Sequence, residues 1–399
     1  MKVYINEGSL SGKRVVLDDM ILTTALPTTA GSKMLEHYVS LFEAEAVTRL
    51  EKAGYTIGGK LNVGEFGIDL LGETSFFGAC VREDGTLASP AAESLNSGAF
   101  AAVQLDVNGA PRRAAAQNGC VCVKPTYGTV SRYGTIPAAC SGETLTVTAA
   151  SVAACREVLS VLAGHDDKDG TSLPAEKCAL LRADADRRPV RKVAVAAGLT
   201  GSADAQVQAD VAAMRSFLES NGIEVVEIDD QILTAAKTAW NVLMSAELCN
   251  NVSRYDGVKF GYRSSNYTNI DELYTNSRTE AFGELLKTAI LFGSDMLSTD
   301  NYMKMYDKAL RIRRVIVEAL NGIFAQYDAL LLPACSAKCY ALEAVQQNKY
   351  LAFQENVFTA PASISGMPAV IVGGVQLMGP AFSENSLLDL AQTYGKEGQ

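Results

Sequence analysis

Histidine is nearly absent from this chain: His37 and His165 are the only two in 399 residues. That scarcity removes the commonest metal ligand and the commonest general base. The nine cysteines are an odd number. Cys120 and Cys122 fall in an apolar, strand-like run, and Cys335 and Cys339 are separated by three residues. Neither pair has a second pair at zinc spacing, so reduced, mostly buried thiols are expected and no metal or cofactor site. No basic patch stands out, and the densest basic run, Arg311, Arg313 and Arg314, lies in a helical pattern that reads as a solvated face. The formal net charge is −10 with a pI near 4.9. Such a chain is repelled by phosphate backbones and anionic lipid, which argues against direct nucleic-acid or membrane binding. The start, Met1-Lys2-Val3-Tyr4-Ile5-Asn6-Glu7, has no apolar run of the secretory kind, and no uncharged stretch is long enough to span a bilayer. A cytoplasmic setting is the expectation. Repeats, low-complexity tracts and Pro/Ser-rich linkers are also lacking.

What is present is 48% hydrophobic residue content, enough for a large core. Strand-like runs alternate with helical periodicity. Arg14 to Leu17, Tyr55 to Ile57, Cys120 to Val123, Lys192 to Ala196, Gly222 to Ile228, Ala329 to Pro333, Ala369 to Val372 and Val375 to Leu377 read as strands. Helical spacing runs from Met34 to Ala53 (Leu35, Val39, Phe42, Ala46, Leu50). It recurs at Val152 to Leu162, Ala205 to Asn221, much of Ile232 to Ala319, and Ser386 to Tyr394. This alternation predicts an α/β layered fold with a mixed sheet, in one domain spanning 1–399.

Several stretches then resemble one family. Lys124-Pro125-Thr126-Tyr127-Gly128-Thr129-Val130-Ser131-Arg132-Tyr133-Gly134 resembles the K-P-T-Y-G-R-V-S-R-Y-G segment of the amidase signature family, in particular of the A subunits of tRNA-dependent amidotransferases. Leu26 to Glu36, Ala163-Gly164-His165-Asp166, Arg254 to Val258, Gly261-Tyr262-Arg263, Ser277 to Gly283, Phe358 to Ala362 and Gly366 to Ala369 resemble further segments of it, in the same order. The resemblance implies a single amidase-signature domain, a mixed β-sheet covered by helices on both faces, without the family's N-terminal helical region. It implies amide hydrolysis by a Ser–cisSer–Lys triad, and partners like the B and C subunits of that complex, or self-association.

Carried over position by position, the resemblance leaves the triad incomplete. Gly59-Lys60-Leu61-Asn62 with Glu65-Phe66 matches G-K-T-N-x-x-E-F, which makes Lys60 the base position. Counted from Phe77-Gly78, Pro90-Ala91-Ala92-Glu93-Ser94-Leu95-Asn96-Ser97 lies on P-G-G-S-S-G-G-S, so Glu93 replaces the relay serine. Counted back from Lys124, Asp106-Val107-Asn108-Gly109-Ala110-Pro111-Arg112 lies on D-T-G-G-S-I-R, so Ala110 replaces the attacking serine. A methyl group cannot attack a carbonyl, and Pro111 removes an N–H donor beside the former oxyanion hole. The segment that holds the substrate carboxylate reads Leu285-Leu286-Lys287-Thr288-Ala289-Ile290, and the acidic position before the Phe358 motif falls near Asn356. The resulting expectation is a catalytically inactive protein, a binding or scaffold subunit, in which an ion pair between Lys60 and Glu93 replaces the relay. The alternatives are an active amidase using Ser94, Ser97 or Cys120, or a working amidotransferase subunit that releases ammonia from glutamine or another amide.

Overall fold

A computed structural model describes residues 1–182 and 187–397. Eleven strands form one mixed sheet. They are β1 (Tyr4–Glu7), β2 (Arg14–Asp18), β3 (Thr56–Leu61), β4 (Ala101–Asp106), β5 (Val121–Lys124) and β6 (Thr144–Ala149), then β7 (Lys192–Ala196), β8 (Glu224–Ile228), β9 (Ala329–Pro333), β10 (Ala369–Val372) and β11 (Val375–Met378). Their order across the sheet is β1-β3-β2-β4-β6-β5-β10-β11-β9-β7-β8. The parallel pairs are β2 with β3 and β4, and β7 with β8 and β9; the others are antiparallel. The interior strand β9 is buried at every residue, so it reads in sequence as an unbroken apolar run.

Six helices matter to the site: α1 (Glu45–Lys52), α2 (Pro90–Asn96), α3 (Ala110–Asn118), α4 (Gln231–Val252), α5 (Glu284–Met296) and α6 (Leu351–Ser365). Both faces of the sheet are covered. Val121 and Val123 of β5 pack with Cys155 and Leu159 of the helix Val152–Leu162, while Cys122, between them, packs with Ala115 and Ala116 of α3. Alternate residues of a strand point to opposite faces. Among the described residues, no helix is long and apolar enough to cross a membrane.

Gly373-Gly374 closes the β10–β11 hairpin with φ of +57° and +81°, the pair of left-handed residues a two-residue turn requires. The helix predicted from Met34, by contrast, starts at Glu45, after a single turn of 3₁₀ helix at Lys33–Leu35. Residues between them spend their backbone groups on other parts of the chain: Tyr38 O accepts from Thr28 N, Ala44 N donates to Leu22 O, and Glu45 N donates to Tyr133 O. The apolar spacing over 35–42 therefore does not mark a helical face. Leu41 is 96% exposed, and Val39 and Phe42 are exposed as well.

Candidate active site

Strand β3 delivers Lys60 into the protein between β1 and β2, where its side chain is fully buried. An ammonium without water needs its donors satisfied. Nζ donates to the Ile21 carbonyl and, at 2.9 Å, to Thr28 Oγ1, and it faces Asp19 Oδ1 at 3.8 Å. That Asp19 oxygen has no hydrogen bond, while Oδ2 accepts from the Thr29 backbone N–H at 2.8 Å and from the Thr29 hydroxyl. Burial lowers Lys60 to about 8, against the pull of Asp19 and Asp18. Burial also raises Asp18 to about 7, although Met20 N and Leu105 N donate to its carboxylate.

The expected ion pair between Lys60 and Glu93 does not form. Glu93 lies in the middle of α2, whose start is capped by Ser89 accepting from Ala92 N. The segment is a regular helix, not a glycine turn, and it carries Glu93 to Arg82, with Oε1 3.7 Å from Nη2. Lys60 takes Asp19 instead, an acid just past the end of β2, the strand that runs parallel to its own.

Ala110 opens α3, behind Gly109 in the left-handed conformation at φ +81°. A Cβ on Gly109 would come within 2.3 Å of Thr359 Oγ1, so only glycine fits between β4 and α6 here. Ala110 lines a cavity of about 30 Å³ together with Ser89, Asn62, Gln104 and Pro111. That volume accommodates about one water molecule. Lys60 is not among its lining residues. Two positions later Arg112, fully buried, holds Asp106 with Nε at 2.6 Å and Nη2 at 3.3 Å, and also donates to Thr359 O, Gln376 and Ser363. Arg112 thus ties α3 to β4, α6 and β11, and its charge helps keep Asp106 below the usual carboxylate range against burial.

The alternative nucleophiles are engaged or unreactive. Ser94 Oγ donates to Ala91 O at 2.7 Å and Ser97 Oγ to Glu93 O at 2.9 Å, both within the turns of their own helix. The Cys120 thiol is raised to about 11, by burial first and by Glu93 second. A thiol in that state offers little thiolate at neutral pH. Thr288 and Ala289, where the family's substrate arginine is expected, line a separate cavity of about 300 Å³ with Asn241, Ser245 and three aromatic rings. Asn356 is fully buried beside it, its amide 2.6 Å from that of Asn241. Among the described residues no group of three or more His, Cys, Asp or Glu is arranged to hold a metal ion.

Three participants escape the motif reading: Asp18 and Asp19, which surround the lysine, and Ser89, which lines the cavity with Ala110. The Asp18-Asp19 pair ending an apolar run is the available signal for the first two. A serine directly before a proline and a helical stretch is the signal for the cap.

The strongest motif serves a different purpose. In the Lys124–Gly134 segment, Ser131 Oγ donates to Asp166 at 2.6 Å, Arg132 pairs with buried Glu143 at 2.7 Å, and Thr129 O accepts from Gly164 N at 3.0 Å. It thereby clamps the Ala163-Gly164-His165-Asp166 segment, so two motifs distant in sequence form one hydrogen-bonded unit.

Residues 2–388 match the Amidase family. The glutamyl-tRNA(Gln) amidotransferase A subunit of Lachnoclostridium phytofermentans is 33% identical over 97% of this chain and 83% of that protein. Its counterpart from Agathobacter rectalis is 33% identical over 98% and 81%. The crystal structure of the Thermotoga maritima glutamyl-tRNA(Gln) amidotransferase A subunit superposes with a TM-score of 0.81 at 24% identity, covering 98% of this chain and 87% of that one. Urea amidolyase of K. lactis superposes with a TM-score of 0.80 at 23% identity, covering 96% of this chain and 23% of that one. With the motifs collinear along the sequence and the mixed sheet in place, this chain belongs to the amidase signature family.

Proposed function

We propose that this chain is a non-hydrolytic amidase-signature protein, acting over residues 1–399 as one domain and serving as a binding or scaffold subunit. The observation that carries the reading is at Ala110. The position where the family places its attacking serine holds a methyl group, beside a cavity of about 30 Å³. In this structure that space holds about one water, too little for glutamine, and its one lining hydroxyl, Ser89, caps α2 through Ala92 N. Lys60, in the base position, is bonded to Ile21 and Thr28 and faces Asp19. Each loss alone would cost many orders of magnitude in rate, since groups that act as a catalytic unit fail together.

Partners are proposed by kinship. The curated relatives are named as subunits of an amidotransferase, so B-subunit-like or C-subunit-like proteins, or a second copy of this chain, are the binding candidates. The test has two arms. Incubation with a serine-directed fluorophosphonate should leave the chain unlabelled, and stoichiometric labelling at Ser89, Ser94 or Ser97 would overturn the proposal. Co-expression with B-like and C-like proteins should yield no glutaminase activity from this subunit; a complex that releases ammonia and loses that activity on Lys60→Ala would equally overturn it.

A further inference from the structure

The cavity of about 300 Å³ lies where α4, α5 and the start of α6 meet. Phe292 and Phe353 of α5 and α6, with Tyr350 just before α6, give it three aromatic walls. Ala289 supplies a methyl group, and no charged side chain lines it. The helices are held closely at this point: a Cβ on Gly293 would come within 2.0 Å of the Ser245 carbonyl, so glycine lets α5 approach α4 there.

Nearly all polar atoms around the cavity are spoken for. Thr288 Oγ1 donates to Glu284 O at 3.0 Å. Asn241 Nδ2 donates to Phe353 O at 3.1 Å, and its carbonyl end meets Asn356 at 2.6 Å. Two hydroxyls are the exceptions, that of exposed Tyr350 and that of Ser245. Ser245 is 1% exposed, it lines the cavity, and among the described residues its hydroxyl has no hydrogen-bond partner. That hydroxyl faces the open space of the cavity, where a ligand's acceptor would take the place of solvent.

We infer that this cavity is a binding site for a small, neutral, aromatic molecule carrying one hydrogen-bond acceptor, which Ser245 O–H engages while Phe292, Tyr350 and Phe353 enclose the ring. The volume is at the lower end of that of ligand pockets, roughly 300–1,000 Å³, which restricts the guest to about one substituted ring. Neutrality follows from the lining. A carboxylate or ammonium would be desolvated here with no opposite charge to meet it. The site touches neither Lys60 nor Ala110, but Thr288 and Ala289 stand where the family's substrate arginine is expected, so the inference rests on the proposed reading that this site no longer serves a charged amide substrate.

The probe is 4-fluoroacetophenone, a ring with one carbonyl and no cleavable amide, titrated against the full-length chain and followed by fluorine NMR. Saturable binding is expected, at least tenfold tighter than for 4-fluorobenzoate or 4-fluorobenzylamine. Ser245→Ala should weaken it about two- to tenfold, the worth of one neutral hydrogen bond. Phe292→Lys changes a part-exposed residue at the mouth and should weaken it at least tenfold while the circular-dichroism spectrum and melting curve stay native. No saturable binding by the wild type, equal binding of the charged probes, or unchanged binding in either variant would overturn the inference. Because the probe has no amide bond, none of these outcomes bears on the catalytic proposal.

Discussion

The segment 124–134 and the segment 89–111 both align with signature stretches of the family, and their side chains are used differently. In the first, side chains are committed to other parts of the fold: Ser131 to Asp166, Arg132 to Glu143, and Tyr127 OH to Cys140 O at 2.6 Å. A substitution there would strand a buried partner. In the second, Glu93 and Ala110 sit on the helices α2 and α3, and Glu93 reaches only the partly exposed Arg82. On the proposed reading, the positions that carry structural load match the family and those assigned only to chemistry do not. Lys60 is the instructive case between the two. It matches the family's lysine motif and faces buried Asp19, a structural role that would account for its presence under the proposed loss of catalysis.

The largest expected effect follows from that last point. Lys60→Met leaves Asp19 buried and unpaired, so it should destabilise the protein by about 3–5 kcal/mol in chemical unfolding. Adding Asp19→Asn should recover much of the loss. If Lys60→Met costs less than about 1 kcal/mol, Lys60 bears no such load and the distinction between the segments fails at its midpoint.

A smaller, pH-dependent effect is expected at Asp18. Burial raises its carboxyl to about 7 from an ordinary 3.8. A raised folded-state pKa contributes stability that is fully present below the unfolded value and is lost as pH rises through the folded one. Wild type should therefore lose stability relative to Asp18→Asn between about pH 4 and about pH 7, with the two urea-unfolding curves diverging as pH rises. Parallel curves across that range would mean that Asp18 is ionised throughout.

Glu93→Gln should do least. The Glu93–Arg82 contact, at 3.7 Å and partly exposed, is worth about 0–1 kcal/mol. A loss above about 2 kcal/mol would place Glu93 among the loaded residues and remove the contrast with Lys60.

Interior strands are legible in the sequence because strands covered on both faces are apolar at every position, as in β9. The alternation of Thr144, Thr146 and Thr148 with apolar residues in β6 is the pattern of a strand with one solvated face, yet all three threonines are buried: Thr148 Oγ1 donates to the Gln104 side chain and Thr146 Oγ1 to the Gln104 carbonyl. The false helix over 35–44 arises because backbone bonds to Thr28, Leu22 and Tyr133 are invisible to local periodicity. In the site, motif spacing points to Lys60 and Ala110. It is not enough to find the lysine's partner. Asp19 is distant in sequence, whereas counting along the signature points to Glu93, in a segment that folds as a helix and turns that side chain toward Arg82.

Ammonia release from glutamine, asparagine and simple amides by the full-length chain, wild type and Ala110→Ser side by side, is the most direct measurement of the proposed loss of chemistry. Neither protein should exceed the rate without enzyme, because restoring a hydroxyl at 110 frees neither the Lys60 ammonium nor room for a substrate in a 30 Å³ cavity. Turnover by the wild type would contradict the loss of chemistry outright, and turnover by Ala110→Ser would show that the machinery around that single methyl group is still intact.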